Sequence, residues 1–177
     1  IMKSLKFIDL FSGIGGFRLG FEEACKKNNV PSECVFSSDT KTNANFVYKE
    51  NFGNHNIFGD ITKIDSKKIP HFDVLLAGFP CQAFSSAGNR HGFADTRGTL
   101  FFEIERILKF HKPLFFILEN VEGLVKHDLQ NKNDSIGRTL DTILNKLRDL
   151  KYEVNWKVLN SLDFGLAQSR KRIFIVG

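Results

Sequence analysis

The chain has 177 residues, a hydrophobic fraction of 42%, and a formal net charge of +5 from 25 Lys and Arg against 20 Asp and Glu. These values predict one folded domain over residues 1–177 and exclude a disordered tail or a fibrous repeat. No apolar run comes near the roughly 18 residues of a membrane span, and no signal peptide is recognisable, so we expect neither a membrane nor a secreted protein. Three cysteines without a CxxC pair argue against disulfides or a metal site and favour the reducing cytoplasm.

Short apolar runs alternate with amphipathic stretches along the chain, which is the pattern of an α/β sheet with crossover helices. The apolar runs predict strands over residues 6–11, 34–37, 73–77, 114–118, 153–159 and 172–176. Helical spacing predicts a first helix with Ile14 on its apolar face, then helices over 42–51 and from residue 100. The clearest helix is expected over 135–150, with Asp134 or Ser135 as its N-cap.

A glycine-rich turn, Ser12–Gly16, follows the first strand, at the edge where open α/β sheets bind ligands. The dinucleotide fingerprint is not met, because Arg18 stands where its third glycine is needed. A nucleoside ligand without a pyrophosphate is therefore favoured over NAD. Asp39 and Asp60 follow the next two strands and could accept hydrogen bonds from a ribose and an adenine amino group. Each could equally be a helix or turn cap.

Three further polar groups follow later strands. Cys81 comes after an apolar strand, and Pro80 before it restricts the backbone, as suits an oriented thiol nucleophile rather than a small buried hydrophobe. Glu119 ends another apolar strand and suits a general acid, although a lone Glu there is more often a surface residue. Arg170 and Arg172 lead into the last strand, where one of them could bind a carboxylate or a phosphate.

The segments FIDLFSGIGGFRLG, GDIT, GFPCQAFS, RGTLFFEI, ENV and QSRKRIFIVG, in this order, resemble the motifs of the C5-cytosine DNA methyltransferases. The resemblance extends over residues 7–177 and is strongest to small bacterial restriction-modification enzymes. It implies a Rossmann-like S-adenosylmethionine-dependent methyltransferase fold, with a mostly parallel sheet and helices on both faces. It also implies a cytoplasmic enzyme that methylates cytosine C5 in double-stranded DNA.

S-adenosylmethionine is the cofactor that this resemblance implies, and no metal is expected. Phe11 would lie against the adenine, Asp39 would hold the ribose, and Asp60 with Ile61 would read the adenine edge. Thr40 stands where a large apolar residue often covers the adenine. The complete implied set is Phe11, Ser12, Gly13, Ile14, Gly15, Gly16, Asp39, Thr40, Asp60, Ile61, Gly78, Pro80 and Leu100.

The resemblance also implies the catalytic roles. Cys81 would attack C6 of a cytosine flipped out of the duplex, and Glu119 would contact N3 and the exocyclic amine. Arg172 would contact O2 and orient Glu119, with Arg170 near Cys81 or a backbone phosphate. Residues expected to contact DNA are Gln82, Ser85 and Arg97, in a loop that closes over the base.

The family's target-recognition region and its late Gly-Asn motif have no counterpart in these 177 residues. We therefore expect a fragment, a truncated product or one half of a split enzyme, with the missing motifs supplied by a second chain. Alternatives are methylation of cytosine in tRNA, a non-catalytic cofactor-binding module and, more remotely, a NAD-dependent oxidoreductase. The recognised DNA sequence cannot be read from these residues.

Overall fold

The computed structural model describes residues 3–53, 57–80 and 99–177, which form an α/β fold. Its strands are β1 (Leu5–Leu10), β2 (Ser32–Ser38), β3 (Ile57–Phe58), β4 (Val74–Gly78), β5 (Phe115–Val121), β6 (Asn155–Asn160) and β7 (Lys171–Val176). Its helices are α1 (Gly16–Lys27), α2 (Thr42–Phe52), α3 (Thr99–His111) and α4 (Arg138–Asp149).

The strands form one sheet in the order β3-β2-β1-β4-β5-β7-β6. β1 pairs in parallel with β2 and β4, and β2 with β3, whereas β6 runs antiparallel to β7. The α/β class and the mostly parallel sheet are confirmed. Within the described ranges, no helix is both long enough and apolar enough to cross a membrane.

Contacts divide the chain into two compact units, of which the first comprises Ile1–Gly78 and Arg106–Ile117. Its core is built on Phe7, Val74 and Leu76, which are fully buried. Aromatic rings of α1 complete this core, and Phe21 packs edge-to-face on Phe7 with ring centroids 4.9 Å apart. This buried apolar core therefore supports the strands whose carboxyl ends precede the candidate site, β1, β2 and β4.

The second unit comprises Phe79–Glu105 and Leu118–Gly177. In α4, the apolar residues at helical spacing are all buried: Leu140, Ile143, Leu144 and Leu147. Ile173 and Ile175 of β7 are buried too, so the polar residues that precede this strand are anchored by its apolar alternation.

The predicted start of α4 was wrong, because the helix begins at Arg138 and its N-cap is Gly137. The Gly137 N–H donates to the Val125 carbonyl oxygen (2.8 Å), and a Cβ at residue 137 would overlap the backbone of His127. This close approach of two backbone segments lies at the N-terminus of α4, and the helix begins after it. Asp134 instead accepts from the Asn131 N–H (2.8 Å) and closes a turn.

Two smaller predictions also need correction. Ile14 precedes α1 and is 59% exposed, so it does not belong to the buried face of that helix. β5 begins at Phe115, after the exposed Leu114, and extends through Val121. Glu119 and Asn120 therefore lie within the strand, and β5 alternates in burial where the sequence predicted a strand apolar on both faces.

Candidate functional site

The turn after β1, residues 11–16 and hereafter the glycine loop, has an unusual backbone. Phe11, Gly13 and Gly15 have φ angles of 55°, 53° and 91°, in the left-handed region. Ser12 is 6% exposed, its N–H donates to the Ser38 carbonyl oxygen (3.1 Å), and its buried Oγ has no hydrogen-bond partner in the described parts of the chain. The loop thus carries a buried hydroxyl that is still available for a hydrogen bond.

Asp39 supports the glycine loop directly. Its Oδ2 accepts from the Gly13 N–H (2.8 Å), and its Oδ1 accepts from the Lys41 N–H (2.7 Å). The neighbouring Ser38 hydroxyl donates to the Gly59 carbonyl oxygen (2.6 Å), next to Asp60. The end of β2 therefore joins the segments after β1 and β3. Thr40, the residue after Asp39, is exposed.

Asp60 is the N-cap of a short 3-10 helix, Ile61–Lys63. Its Oδ1 accepts from the Thr62 hydroxyl (2.7 Å) and from the Thr62 N–H (3.0 Å), and these hydrogen bonds lower the pKa of the carboxyl from its usual value. The capping alternative is thus realised in the structure. Ile61 is 3% exposed, and Gly78 lies half-buried at the end of β4.

A buried carboxyl beneath the glycine loop was missed at the level of sequence. Asp9 is 1% exposed; its Oδ2 accepts from the Tyr48 hydroxyl (3.3 Å), and its Oδ1 has no partner among the described residues. Burial raises the pKa of Asp9 to about 7, and it raises the pKa of the nearby Cys34 thiol to about 11. The sequence feature that could have indicated this buried carboxyl is a single acidic residue, Asp9, in the otherwise apolar second half of β1.

Arg18, which counted only against NAD in the sequence, has a structural role here. Its Nη1 donates to the Tyr48 hydroxyl (3.3 Å), and its Nε forms an ion pair with Glu22 Oε1 (2.7 Å). Its Cζ lies 4.1 Å from the ring centre of Phe52. A Cβ at Gly15 would collide with the rings of Phe52 and Tyr48, so the glycine loop rests on these two side chains. Only glycine satisfies both this contact and the positive φ.

In the second unit, Glu119 and Arg172 are brought together from β5 and β7. Arg172 Nε lies 3.0 Å from Glu119 Oε1, and each side chain is 23% exposed. A partly desolvated ion pair of this kind holds the carboxylate in one orientation. The structure therefore joins two of the predicted catalytic residues, which are 53 positions apart in the sequence.

Asn120 ties this pair to the segment that contains the predicted nucleophile. It is 2% exposed, its Nδ2 donates to the Phe79 carbonyl oxygen (2.9 Å), and its Oδ1 accepts from the Val121 N–H (2.8 Å). Phe79 is 4% exposed, and the following Pro80 is exposed. Asn120 was not among the predicted site residues, because the sequence does not show which backbone groups a single amide side chain binds.

A polar groove of about 500 Å³ adjoins the ion pair and is lined by residues 121–123 and 168–172. Lys171 Nζ lies 3.6 Å from Glu122 Oε1 at this groove, and both side chains are about half exposed. The Arg170 backbone N–H donates to Asn160 Oδ1 (3.0 Å), while the residue itself is exposed. The groove carries the cationic side chains of Arg170, Lys171 and Arg172, of which Lys171 and Arg172 are paired with Glu122 and Glu119; this leaves a net positive charge that suits an anionic ligand.

Of the remaining predicted site residues, one lies within the described ranges: Leu100 is half-buried in α3. The predicted nucleophile and the predicted DNA contacts lie outside the described residues: Cys81, Gln82, Ser85 and Arg97.

A mostly parallel sheet with a glycine loop after its first strand and acidic residues after the next two defines an α/β nucleoside-binding class of domain. A family model described as C-5 cytosine-specific DNA methylase matches residues 5–177. The chain belongs to this family.

Individual relatives agree with this assignment. The type II methyltransferase M.NgoBV of Neisseria gonorrhoeae is 59% identical over 99% of this chain and 42% of its own length. M.HaeII of Haemophilus aegyptius is 55% identical over 99% of this chain and 51% of its own length. The crystal structure of the S. pombe Dnmt2 methyltransferase is similar with a TM-score of 0.75 and 25% identity, over 97% of this chain and 50% of that one. The chain thus spans about half, or less, of these relatives.

We expect Asn120→Ala to lower the free energy of unfolding by about 1–3 kcal/mol, since the buried Phe79 carbonyl and Val121 N–H would both lose their partner. Urea denaturation of the variant and the wild type measures this difference. Asn145→Ala is the matched control, because Asn145 is exposed and its amide binds the Asp141 carboxylate and the Arg148 guanidinium on the same helix. Equal losses in the two variants would contradict the prediction.

Proposed function

We propose that the protein is a DNA cytosine-C5 methyltransferase of the restriction-modification type. It transfers a methyl group from S-adenosylmethionine to C5 of a cytosine in double-stranded DNA, in the cytoplasm of a bacterium. The observation that carries the proposal is the Glu119–Arg172 ion pair, which places a carboxylate with fixed orientation beside a cationic groove. Membership of the C-5 cytosine-specific DNA methylase family supports the same reaction.

The first unit has the features that a nucleoside cofactor requires. The buried Ser12 hydroxyl has no partner among the described residues, and a Cβ at Gly13 or Gly16 would meet only open space. The loop backbone can therefore approach a ligand closely. We assign the methionine end to residues 12–16, the adenine face to Phe11, the ribose to Asp39, and the adenine edge to Asp60 and Ile61. Thr40 and Gly78 of the same unit are also assigned to the cofactor, and Pro80 and Leu100 stay predicted cofactor contacts.

S-adenosylmethionine supplies an electrophilic methyl group when bound. In the proposed reaction the Cys81 thiolate forms a bond to cytosine C6, and the ring electron pair moves toward C5. Glu119 donates a proton at N3 as negative charge develops there, and Arg172 holds Glu119 in place. C5 takes the methyl group and the thioether S-adenosylhomocysteine leaves. A solvent water then removes the C5 proton, the C5–H electron pair expels the Cys81 thiolate from C6, and the N3 proton returns to Glu119. Asn120 supports this arrangement by holding the Phe79 carbonyl.

DNA binding is assigned to the groove in the second unit and to the segment after Cys81. Arg170 and Lys171 can bind phosphates without reading sequence, and the overall charge of +5 is compatible with this role. We also assign DNA contacts to Gln82, Ser85 and Arg97. Because the relatives are about twice as long, we propose that recognition of the target sequence resides in a further region or in a second chain.

The test is incorporation of labelled methyl from S-adenosylmethionine into duplex DNA and, in parallel, into tRNA by the intact protein. We expect labelled DNA, and we expect Cys81→Ser to abolish the label, since a hydroxyl is a far weaker nucleophile than a thiolate. Cys25→Ser is the control, because Cys25 is a buried residue of α1 that the proposed reaction does not use.

Each alternative has its own outcome in this experiment. Labelled tRNA with unlabelled DNA would establish the RNA substrate instead. Binding of S-adenosylmethionine without covalent capture of 5-fluorocytosine DNA would indicate a non-catalytic module. Methyl transfer that survives Cys81→Ser would contradict the covalent mechanism.

A further inference from the structure

The segment Asp60–Ser66, hereafter the adenine-edge segment, is held from α3 by the side chains of Arg106 and His111. Arg106 Nη1 donates to Ser66 Oγ (2.6 Å), and its Nη2 donates to the carbonyl oxygens of Ile64 (3.0 Å) and Ile61 (3.3 Å). His111, one helical turn further along α3, donates from Nε2 to the Ser66 carbonyl oxygen (2.9 Å). The far end of the segment is thus anchored by two side chains of one helix.

These contacts differ in kind from those inside the segment. The Lys63 N–H donates to the Asp60 carbonyl oxygen (3.0 Å), and the Ile64 N–H donates to the Ile61 carbonyl oxygen (3.2 Å). These bonds define the shape of the turn, but both partners of each bond lie within the segment. Arg106 adds charge-assisted hydrogen bonds from a rigid, planar group, which determine where the turn lies relative to α3. Without the guanidinium, the turn could keep its shape and still shift.

A small shift matters because adenine and hypoxanthine differ only at the edge of the ring. The carboxylate of Asp60 accepts hydrogen bonds, so it favours an amino group at position 6 and disfavours a carbonyl oxygen. Such discrimination requires the accepting atoms to be held within a fraction of an ångström. Ile61, adjacent to Asp60, is 3% exposed, and its carbonyl is bound by Arg106.

We propose that Arg106 is a positioning residue that sets the selectivity of the cofactor site for adenine. Arg106 acts through the carbonyls of Ile61 and Ile64 and does not itself contact the cofactor. This inference rests on the proposed function, because it takes the adenine-edge segment to be part of an S-adenosylmethionine site.

The experiment compares two ligands on the intact protein by isothermal titration calorimetry: S-adenosylhomocysteine and S-inosylhomocysteine, in which a carbonyl replaces the 6-amino group. We expect the wild type to prefer the adenosyl ligand. Arg106→Gln should raise the Kd for S-adenosylhomocysteine by about tenfold, as expected from the loss of hydrogen bonds to a charged group. It should also move the ratio of the Kd for S-inosylhomocysteine to the Kd for S-adenosylhomocysteine toward one. Arg106→Lys should lie between, because lysine keeps the charge without the planar fork.

Arg138→Gln is the matched control, because Arg138 binds Asp128 through two guanidinium nitrogens (2.6 and 2.9 Å) on a different part of the chain. It should leave both Kd values unchanged. A merely structural role of Arg106 would reduce the fraction of binding-competent protein without changing the ratio. If Arg106→Gln does not fold, Arg106→Lys decides the question.

The outcomes separate the two hypotheses. Loss of selectivity in the Arg106 variants supports the inference. Unchanged Kd values and an unchanged ratio in these variants, with a selective wild type, overturn the inference alone. A wild type that binds both ligands equally also overturns it. A wild type that binds neither ligand removes the proposed function and the inference together.

Discussion

Glu119→Gln is expected to slow methyl transfer to duplex DNA by about 10²–10⁴-fold, the range that a positioned general acid contributes. The amide has the size of the carboxyl group, but it cannot release a proton to cytosine N3. It also loses the ion pair with Arg172, whose Nε lies 3.0 Å from Glu119 Oε1. Incorporation of labelled methyl at saturating cofactor and DNA measures the rate, and calorimetry checks that the affinity for S-adenosylhomocysteine is unchanged.

Glu105→Gln provides a closely matched control for this loss. The Glu105 side chain is 21% exposed, against 23% for Glu119, and its Oε1 is 3.8 Å from Lys146 Nζ. The same substitution therefore removes an ion pair of similar burial at a position with no proposed catalytic role, and the rate should remain that of the wild type. If Glu119→Gln keeps the wild-type rate, Glu119 is not the general acid.

Asp9→Asn should stabilise the protein near neutral pH and flatten the pH dependence of its stability. Burial raises the pKa of Asp9 from 3.8 to about 7 in the folded protein. Below pH 4 the carboxyl is protonated in both states and has no effect. As the pH rises from about 4 to 7, only the unfolded state releases the proton, so stability falls over this window and then stays constant. The shift corresponds to a loss of at most about 4 kcal/mol.

Asparagine does not ionise, so the variant should escape this loss at pH 8 and differ little from the wild type at pH 4. Urea denaturation at several pH values between 4 and 8 measures the effect. Asp149→Asn, at an exposed position of α4, is the control and should follow the wild-type curve. Parallel curves for Asp9→Asn and the wild type would show that Asp9 does not titrate in this window.

A buried carboxyl with a free oxygen is costly, and its position suggests why it is kept. The Tyr48 hydroxyl that binds Asp9 belongs to the ring on which Gly15 rests, and Arg18 binds the same hydroxyl. The polar chain from Arg18 through Tyr48 to Asp9 therefore fixes the base of the glycine loop. A fully apolar cluster would fill the space but would not specify the same orientation of these side chains.

Several parts of the candidate site were predictable because they depend on local rules. Residues that follow parallel strands meet at one sheet edge, so the end of β2 was recognisable as a part of the candidate site, whereas the hydrogen bond from the Gly13 N–H to Asp39 was not predicted. The order of short motifs from residue 7 to residue 177 was sufficient to identify the family. The failures at Ile14 and at the start of α4 both come from contacts with segments distant in the sequence. At the start of α1 the contacts come from side chains of α2, and at the start of α4 they come from the backbone of residues 125–127; helical spacing contains neither.

The sequence by itself thus determined the α/β class, the family, and the candidate site residues. These follow from periodicity and from motifs, which are local properties of the chain. Only the tertiary structure decided which groups are paired and which are buried. Asn120 holds the Phe79 carbonyl, Arg106 holds the adenine-edge segment, and Asp9 is buried beneath the glycine loop. The Glu119–Arg172 pair, by contrast, was expected from the family resemblance. Such pairings depend on distances between residues far apart in the chain, and burial depends on every element packed around a side chain.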